Sequence, residues 1–139
     1  MRAPGFTLLE ALVAAGLASV LAGIGVVQLV ALVESARVAG AARTVATVLR
    51  LARGIALSAD AATEVRFDPA RGVCETRAGG GTLIDSRTLP PGVAFASLPA
   101  RRRIVFGGLG TADNGTIVIG SRARSRRIIV NQRGRVRVQ

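Results

Sequence analysis

The sequence predicts an α+β protein: a long N-terminal helix with a membrane-spanning first half, followed by an antiparallel β-sheet head. Three observations carry that expectation. Residues 11–33 hold no charge, and their only polar side chains are Ser19 and Gln28. Residues 38–55 then repeat apolar positions at helical spacing. From residue 64 onward the chain breaks into about eight short apolar or alternating runs separated by turn residues.

The apolar run comes first. The chain has 139 residues, room for one modest domain plus one special segment. Its mean hydropathy of +0.44 is high for a soluble domain, and residues 11–33 account for the excess. About 20 apolar residues suffice to cross a bilayer as a helix. A secretory signal peptide has a shorter apolar stretch closed by a small-residue cleavage site, and neither feature is present here. An uncleaved anchor leaves Glu10 unexplained, because an ionised carboxylate is costly at membrane depth. Ala11, Ala15, Ser19 and Gly23 recur every four residues, with Ala14, Ala18 and Ala22 beside them. Such small-residue ridges let apolar helices approach closely.

The helical pattern continues past the apolar run. Val38, Ala41, Val45, Val48, Ala52 and Ile55 form an amphipathic stripe, with Arg43, Thr47, Arg50 and Arg53 off it. No proline interrupts residues 6–58. One helix of about 53 residues would be roughly 80 Å long. That exceeds a compact domain of this size, so residues 6–33 are expected to enter a bilayer or filament core. Residues 34–58 are expected to pack on a sheet.

Residues 59–139 read as the β-rich head. The strand-like runs are 64–67, 73–77, 82–89, 93–98, 103–106, 116–119, 127–131 and 135–138. Turn signals separate them, among them Pro90-Pro91-Gly92, Asp113-Asn114-Gly115 and Arg133-Gly134. The glycine-rich stretch 107–115 lacks the pattern of a phosphate loop and reads as a hairpin loop.

Charge is distributed unevenly. Residues 1–100 hold nine Arg against seven acids, and residues 101–139 hold ten Arg against Asp113 alone. Arg122, Arg124 and Arg126 alternate, as do Arg133, Arg135 and Arg137. On a strand each set would share one face, with Val136 and Val138 toward the core. Such a row is a candidate phosphate track. An Arg-rich face that is merely solvated, or that meets acidic neighbours, is the alternative. Without interleaved aromatics, any nucleic-acid binding there is expected to be salt-sensitive and sequence-indifferent.

Catalysis is not expected. The chain has no His, and its single cysteine, Cys74, builds neither a metal site nor an internal disulfide. The head's acids, such as Asp60, Asp68 and Asp85, fall in turns or alternate with Arg. No cofactor and no metal are expected.

The stretch Gly5-Phe6-Thr7-Leu8-Leu9-Glu10, followed by about twenty apolar residues, resembles the processing signature of type IV pilins and type II secretion pseudopilins. The resemblance implies a type IV pilin-like fold. Residues 1–5 would be a leader removed by a prepilin peptidase after Gly5, and the new N-terminal Phe6 would be N-methylated. It also implies that Glu10 pairs with the N-terminal ammonium of a neighbouring subunit, which offsets the cost of placing a carboxylate among apolar helices. Without the motif, Glu10 reads equally well as a helix-start acid favoured by the macrodipole. The C-terminal stretch resembles the GspH/FimT branch of minor pseudopilins, through Phe106, Gly110, Asn114-Gly115-Thr116, residues 127–130 and Gly134-Arg135-Val136-Arg137. Two departures are the absence of a proline in the apolar helix and of a cysteine pair in the head.

Two functions follow from the resemblance. The first is a structural subunit of a type II secretion pseudopilus or type IV pilus. It would sit in the bacterial inner membrane, single-pass, with its head periplasmic, and associate with other pilins after assembly. The second is a pilus-borne DNA-binding protein for natural transformation, with Arg135 and Arg137 as contacts and Arg126, Arg127 and Arg133 in support. An unrelated anchored domain would require the N-terminal motif to be accidental.

Overall fold

The structure, a computed structural model, describes residues 7–139, with no side-chain description at residues 24–27. The chain divides into two units, Met1–Glu34 and Ser35–Gln139. One helix, α1 (Leu8–Ala59), runs through both.

Local chemistry sets both ends of α1. At its start the Glu10 N–H donates to Thr7 Oγ1 at 3.3 Å, so Thr7 caps the first turn. Thr7-Leu8-Leu9-Glu10 is a capping-box sequence. At its end Asp60 takes a left-handed φ of 45°, and the Ala61 N–H donates to Ala56 O at 3.2 Å. That six-to-one bond past a left-handed residue is a Schellman stop, with Asp in the place glycine usually takes. In the second unit α1 buries Val38, Ala41, Ala42, Val45, Ala46, Val48, Leu49, Ala52 and Ala56. The buried face is wider than the expected stripe, and Ile55 is only half-buried while Ala56 goes fully inside.

Eight strands follow: β1 (Thr63–Asp68), β2 (Val73–Ala78), β3 (Leu83–Thr88), β4 (Ala94–Ser97), β5 (Arg103–Phe106), β6 (Gly115–Gly120), β7 (Ser125–Val130) and β8 (Val136–Val138). They form two four-stranded sheets, ordered β3-β2-β1-β5 and β4-β6-β7-β8. Every pairing is antiparallel. In the first sheet Val65 faces Thr76 and Ile104, and Phe67 faces Cys74, all on the buried side. In the second sheet Ile117 pairs with Ile128, and Val130 with Val136. These residues and the α1 face make one continuous core, and all of it lies within Ser35–Gln139. Phe67 and Phe95 meet edge-on across the two sheets, with ring centroids 5.6 Å apart.

The glycine-rich stretch 107–115 differs in part from a simple hairpin loop. The chain doubles back at Gly107, whose N–H donates to Thr111 O, and Phe106 bridges Ala112. It then crosses to the other sheet at Gly115, so β5 and β6 are not partners.

Thr63, Thr76 and Cys74 bring polar groups into the buried interior. The Thr76 hydroxyl is fully buried and has no hydrogen-bond partner. The Cys74 thiol, 1% exposed, donates to Arg87 O at 3.5 Å. Burial first, and then the Asp85 carboxylate, push it up to about 11.

Candidate functional site

At the N-terminal end, Gly5 and Phe6 and the rest of the expected leader lie outside the described residues. Glu10 is described: it stands at the third helical position, exposed, with its backbone tied to Thr7. Around it Leu8, Leu9, Leu12, Val13, Leu17, Val20 and Leu21 are all exposed. The small residues Ala11, Ala15, Ser19 and Gly23 are exposed too, and the Ser19 hydroxyl is satisfied by Ala15 O at 2.8 Å. α1 is long and apolar enough to cross a membrane, and among the described residues the side chains of 8–23 and 28–30 are exposed.

At the C-terminal end the register sorts the arginines. Arg127 lies opposite Gln139, and Arg137 opposite Ile129. Since the buried set is Ile128, Val130 and Val136, Arg127 and Arg137 point to the outer face as diagonal neighbours. Arg135, two residues before Arg137 and exposed, continues the same face. Arg126 has the opposite parity, and Arg133 sits in the β7–β8 turn. Arg122 and Arg124 lie in the β6–β7 turn, where the Ser121 N–H donates to Arg124 O, so they do not extend a strand face. Val136 is buried as expected, whereas Val138, at the end of an edge strand, is 38% exposed.

Electrostatics separates these arginines from those on the first sheet's strands. Arg66, Arg77, Arg87 and Arg103 pair with Glu64, Glu75 or Asp85. Among the described residues, none of the arginines in 122–137 has an acid within ion-pair distance. An exposed sheet face with three unpaired guanidinium groups attracts anions without selecting among them.

The β7–β8 turn that presents Arg135 is fixed from several sides. The Asn131 side chain accepts from the Arg135 N–H at 2.8 Å, and Asn131 O accepts from the Gly134 N–H at 2.9 Å. Gly134 has φ +67° and packs so tightly that a Cβ there would lie 2.7 Å from Gly110 O and 2.8 Å from Arg53 Nε. Arg53, on α1, therefore lies against the turn that orients Arg135 and Arg137. Its position off the helical stripe gave no sign of this contact. A shallow polar hollow of about 370 Å³, lined by Asn114, Asn131, Gln132 and Arg133, lies beside the turn.

No group of His, Cys, Asp or Glu suited to a metal ion occurs among the described residues. The one thiol, Cys74, is buried and held protonated.

No curated protein matches this chain. Among solved structures it resembles the type IV minor pilin FimU of Pseudomonas aeruginosa, with 16% identity and a TM-score of 0.63 over 73% of this chain and 87% of that one. It also resembles the minor pseudopilin EpsH of the type 2 secretion system of Vibrio cholerae, with 15% identity and a TM-score of 0.61 over 74% of this chain and 96% of that one. At such identities the likeness establishes the fold: a long helix and antiparallel sheets of the type IV pilin-like kind. The family model described as type II transport protein GspH matches residues 41–134, well over half the chain, and the protein therefore belongs to the GspH family of minor pilin-like structural subunits, which are not enzymes.

Proposed function

We propose that this chain is a minor subunit anchored in the bacterial inner membrane by the first half of α1, with its head in the periplasm. A prepilin peptidase removes residues 1–5, Phe6 becomes the methylated N-terminus, and the subunit joins other pilins in a pseudopilus or pilus. The observation that supports this most is the division of labour along α1. Its N-terminal apolar side chains are exposed, while its C-terminal turns bury a full face in the head. A helix with leucines at 8, 9, 12, 17 and 21 facing outward needs lipid or other apolar helices around it.

Glu10 then has two roles that can be separated. Its backbone takes part in the Thr7 cap, and its carboxylate pairs with a neighbour's N-terminal ammonium during assembly. Gln also serves the third position of a capping box. Glu10→Gln therefore keeps the helix start and removes the charge. Membrane insertion is expected to persist in this variant, and co-purification with partner pilins is expected to fail. Normal co-purification of Glu10→Gln would overturn the pairing role.

A second reading rests on the unpaired outer face of β7 and β8. Arg127, Arg135 and Arg137 form a row suited to a phosphodiester backbone, with Arg126 and Arg133 at its margins. Such binding would be electrostatic and would weaken steeply between about 50 and 200 mM salt. Titration of the protein with duplex DNA, alongside Arg135→Ala/Arg137→Ala, tests it. Salt-dependent binding lost in the double variant supports DNA capture, and no binding at low salt removes it.

A further inference from the structure

We propose that the head carries a second anion site, on the other sheet from the C-terminal arginines: the hollow formed by Arg66, Phe67, Arg101, Arg102 and Arg103 binds a phosphate oxyanion. This site depends on neither reading above.

The hollow measures about 410 Å³, and four of its five lining residues are Arg. Its floor comes from β1 and the start of β5, and its wall from the β4–β5 connection. That connection is pinned at both ends. The Arg102 N–H donates to Pro99 O at 2.8 Å, and the Phe67 N–H donates to Arg102 O at 2.8 Å. The Pro99-to-Arg102 turn thus docks on β1 and carries Arg101 and Arg102 with it.

Charge balance there is incomplete. Glu64 holds two of the four guanidinium groups, Arg66 Nε at 2.6 Å and Arg103 Nη1 at 3.3 Å. Among the described residues Arg101 and Arg102 have no acidic partner. One carboxylate against four guanidinium groups leaves an excess of three positive charges around one concavity. Like charges held together are unfavourable until an anion joins them. Arg102 also has φ +49°, a left-handed conformation that glycine or asparagine adopts more cheaply. The fold tolerates an arginine in a strained position and directs its backbone onto β1, as is common where strain serves a site.

The chemistry favours phosphate over carboxylate. Each guanidinium presents a planar fork of five N–H donors. A carboxylate brings two oxygens and one charge. A phosphate group brings up to three terminal oxygens and nearly two charges, closer to what three uncompensated groups can receive. Phe67 is 4% exposed, so no aromatic face is open for stacking. Recognition is therefore of the phosphate alone, with no base or ring selected. A free phosphate compound meets this description with one terminal phosphate, whereas a phosphodiester brings one charge and two free oxygens per linkage and meets it only through two successive linkages.

The test uses the full-length protein in non-ionic detergent micelles and inorganic tripolyphosphate as probe, followed by calorimetry at low salt. Arg101→Ala/Arg102→Ala should weaken binding by at least about tenfold. The comparison is repeated in the Arg135→Ala/Arg137→Ala background, which removes the anion-attracting face on the other sheet, and the roughly tenfold loss should persist there. Arg102→Gly guards against misfolding as an explanation. It suits the left-handed backbone, so its melting temperature should match or exceed that of the parent while its affinity falls. A short DNA duplex provides the second arm. If Arg101→Ala/Arg102→Ala also weakens duplex binding, the natural source is a phosphodiester; if only tripolyphosphate binding falls, the source is a free phosphate compound. The proposal is overturned if the parent protein binds no tripolyphosphate at low salt. It is equally overturned if the Arg101 and Arg102 variants bind as well as the parent, or if polyglutamate occupies the hollow where tripolyphosphate does not.

Discussion

Replacing Gly134 by alanine should unfold the turn that presents Arg135 and Arg137. Two costs combine. Gly134 has φ +67°, and an alanine held there loses about 1–2 kcal/mol. The added Cβ would also lie 2.7 Å from Gly110 O and 3.0 Å from Arg53 Cδ. The arginine can move, but the Gly110 carbonyl belongs to backbone on the loop that crosses between sheets. Overpacking of that kind costs about 1–3 kcal/mol. The sum is about 2–5 kcal/mol, less a few tenths for the stiffer unfolded chain. Gly110 offers a graded comparison, since it shares a left-handed φ of 81° but its nearest neighbour is a movable side-chain atom, Leu57 Cδ2 at 3.3 Å. Gly110→Ala should cost about 1–2 kcal/mol. Gly80 has open space and no positive φ, so Gly80→Ala should stay within about 0.5 kcal/mol of the parent. Urea unfolding of residues 35–139, the unit that contains the whole core, measures all three. Arg53→Ala added to Gly134→Ala should rescue little, because the carbonyl clash remains. A Gly134→Ala midpoint equal to the parent's, or a larger loss at Gly110 than at Gly134, would refute this account of the turn.

Other consequences of the packing can be measured in the same fragment. Cys74 sits well above its ordinary value of 9.0, at about 11, so the folded state holds a proton that the unfolded chain has released. Stability should be flat below about pH 9 and should fall by about 3 kcal/mol between pH 9 and 11. The chain has no Lys, Tyr or His, so no other side chain titrates in that window, and Cys74→Ala should flatten the profile. Thr76→Val removes a buried hydroxyl that has no partner and should stabilise by about 1 kcal/mol, read from the urea midpoint. Leu49→Ala empties the centre of the α1 face and should cost about 2–5 kcal/mol.

Much of the fold is legible in the sequence, and the reasons are local. Eight apolar or alternating runs bounded by Gly, Pro, Asn and Asp became eight strands, because turn residues and period-two burial act within a few residues. The partition into two sheets was not legible, since which strands pair is decided by distant contacts such as Phe67 against Phe95. The break between the runs 116–119 and 127–131 was legible, but Ser121-Arg122-Ala123-Arg124 carries no Gly or Pro, and the alternating Arg there imitated a strand face. Asp60 and Arg102 were missed for a related reason: both adopt left-handed backbones without being glycine. The Thr7 cap could have been found, since Thr-x-x-Glu before an apolar run is a recognised signature. The Arg53 contact with Gly134 could not, because nothing in a helix's surface pattern reports which turn will close over it.

The most direct test of the structural role is to isolate the full-length protein from cells that make the partner pilins and the prepilin peptidase. Mass spectrometry then reads the N-terminus of the assembled fraction. The account predicts a chain that begins at methylated Phe6 and co-purifies with other pilin-like subunits in the parent protein but not in Glu10→Gln. A chain that still begins at Met1, or one that is cut elsewhere and found alone in the membrane whatever residue 10 is, would contradict it.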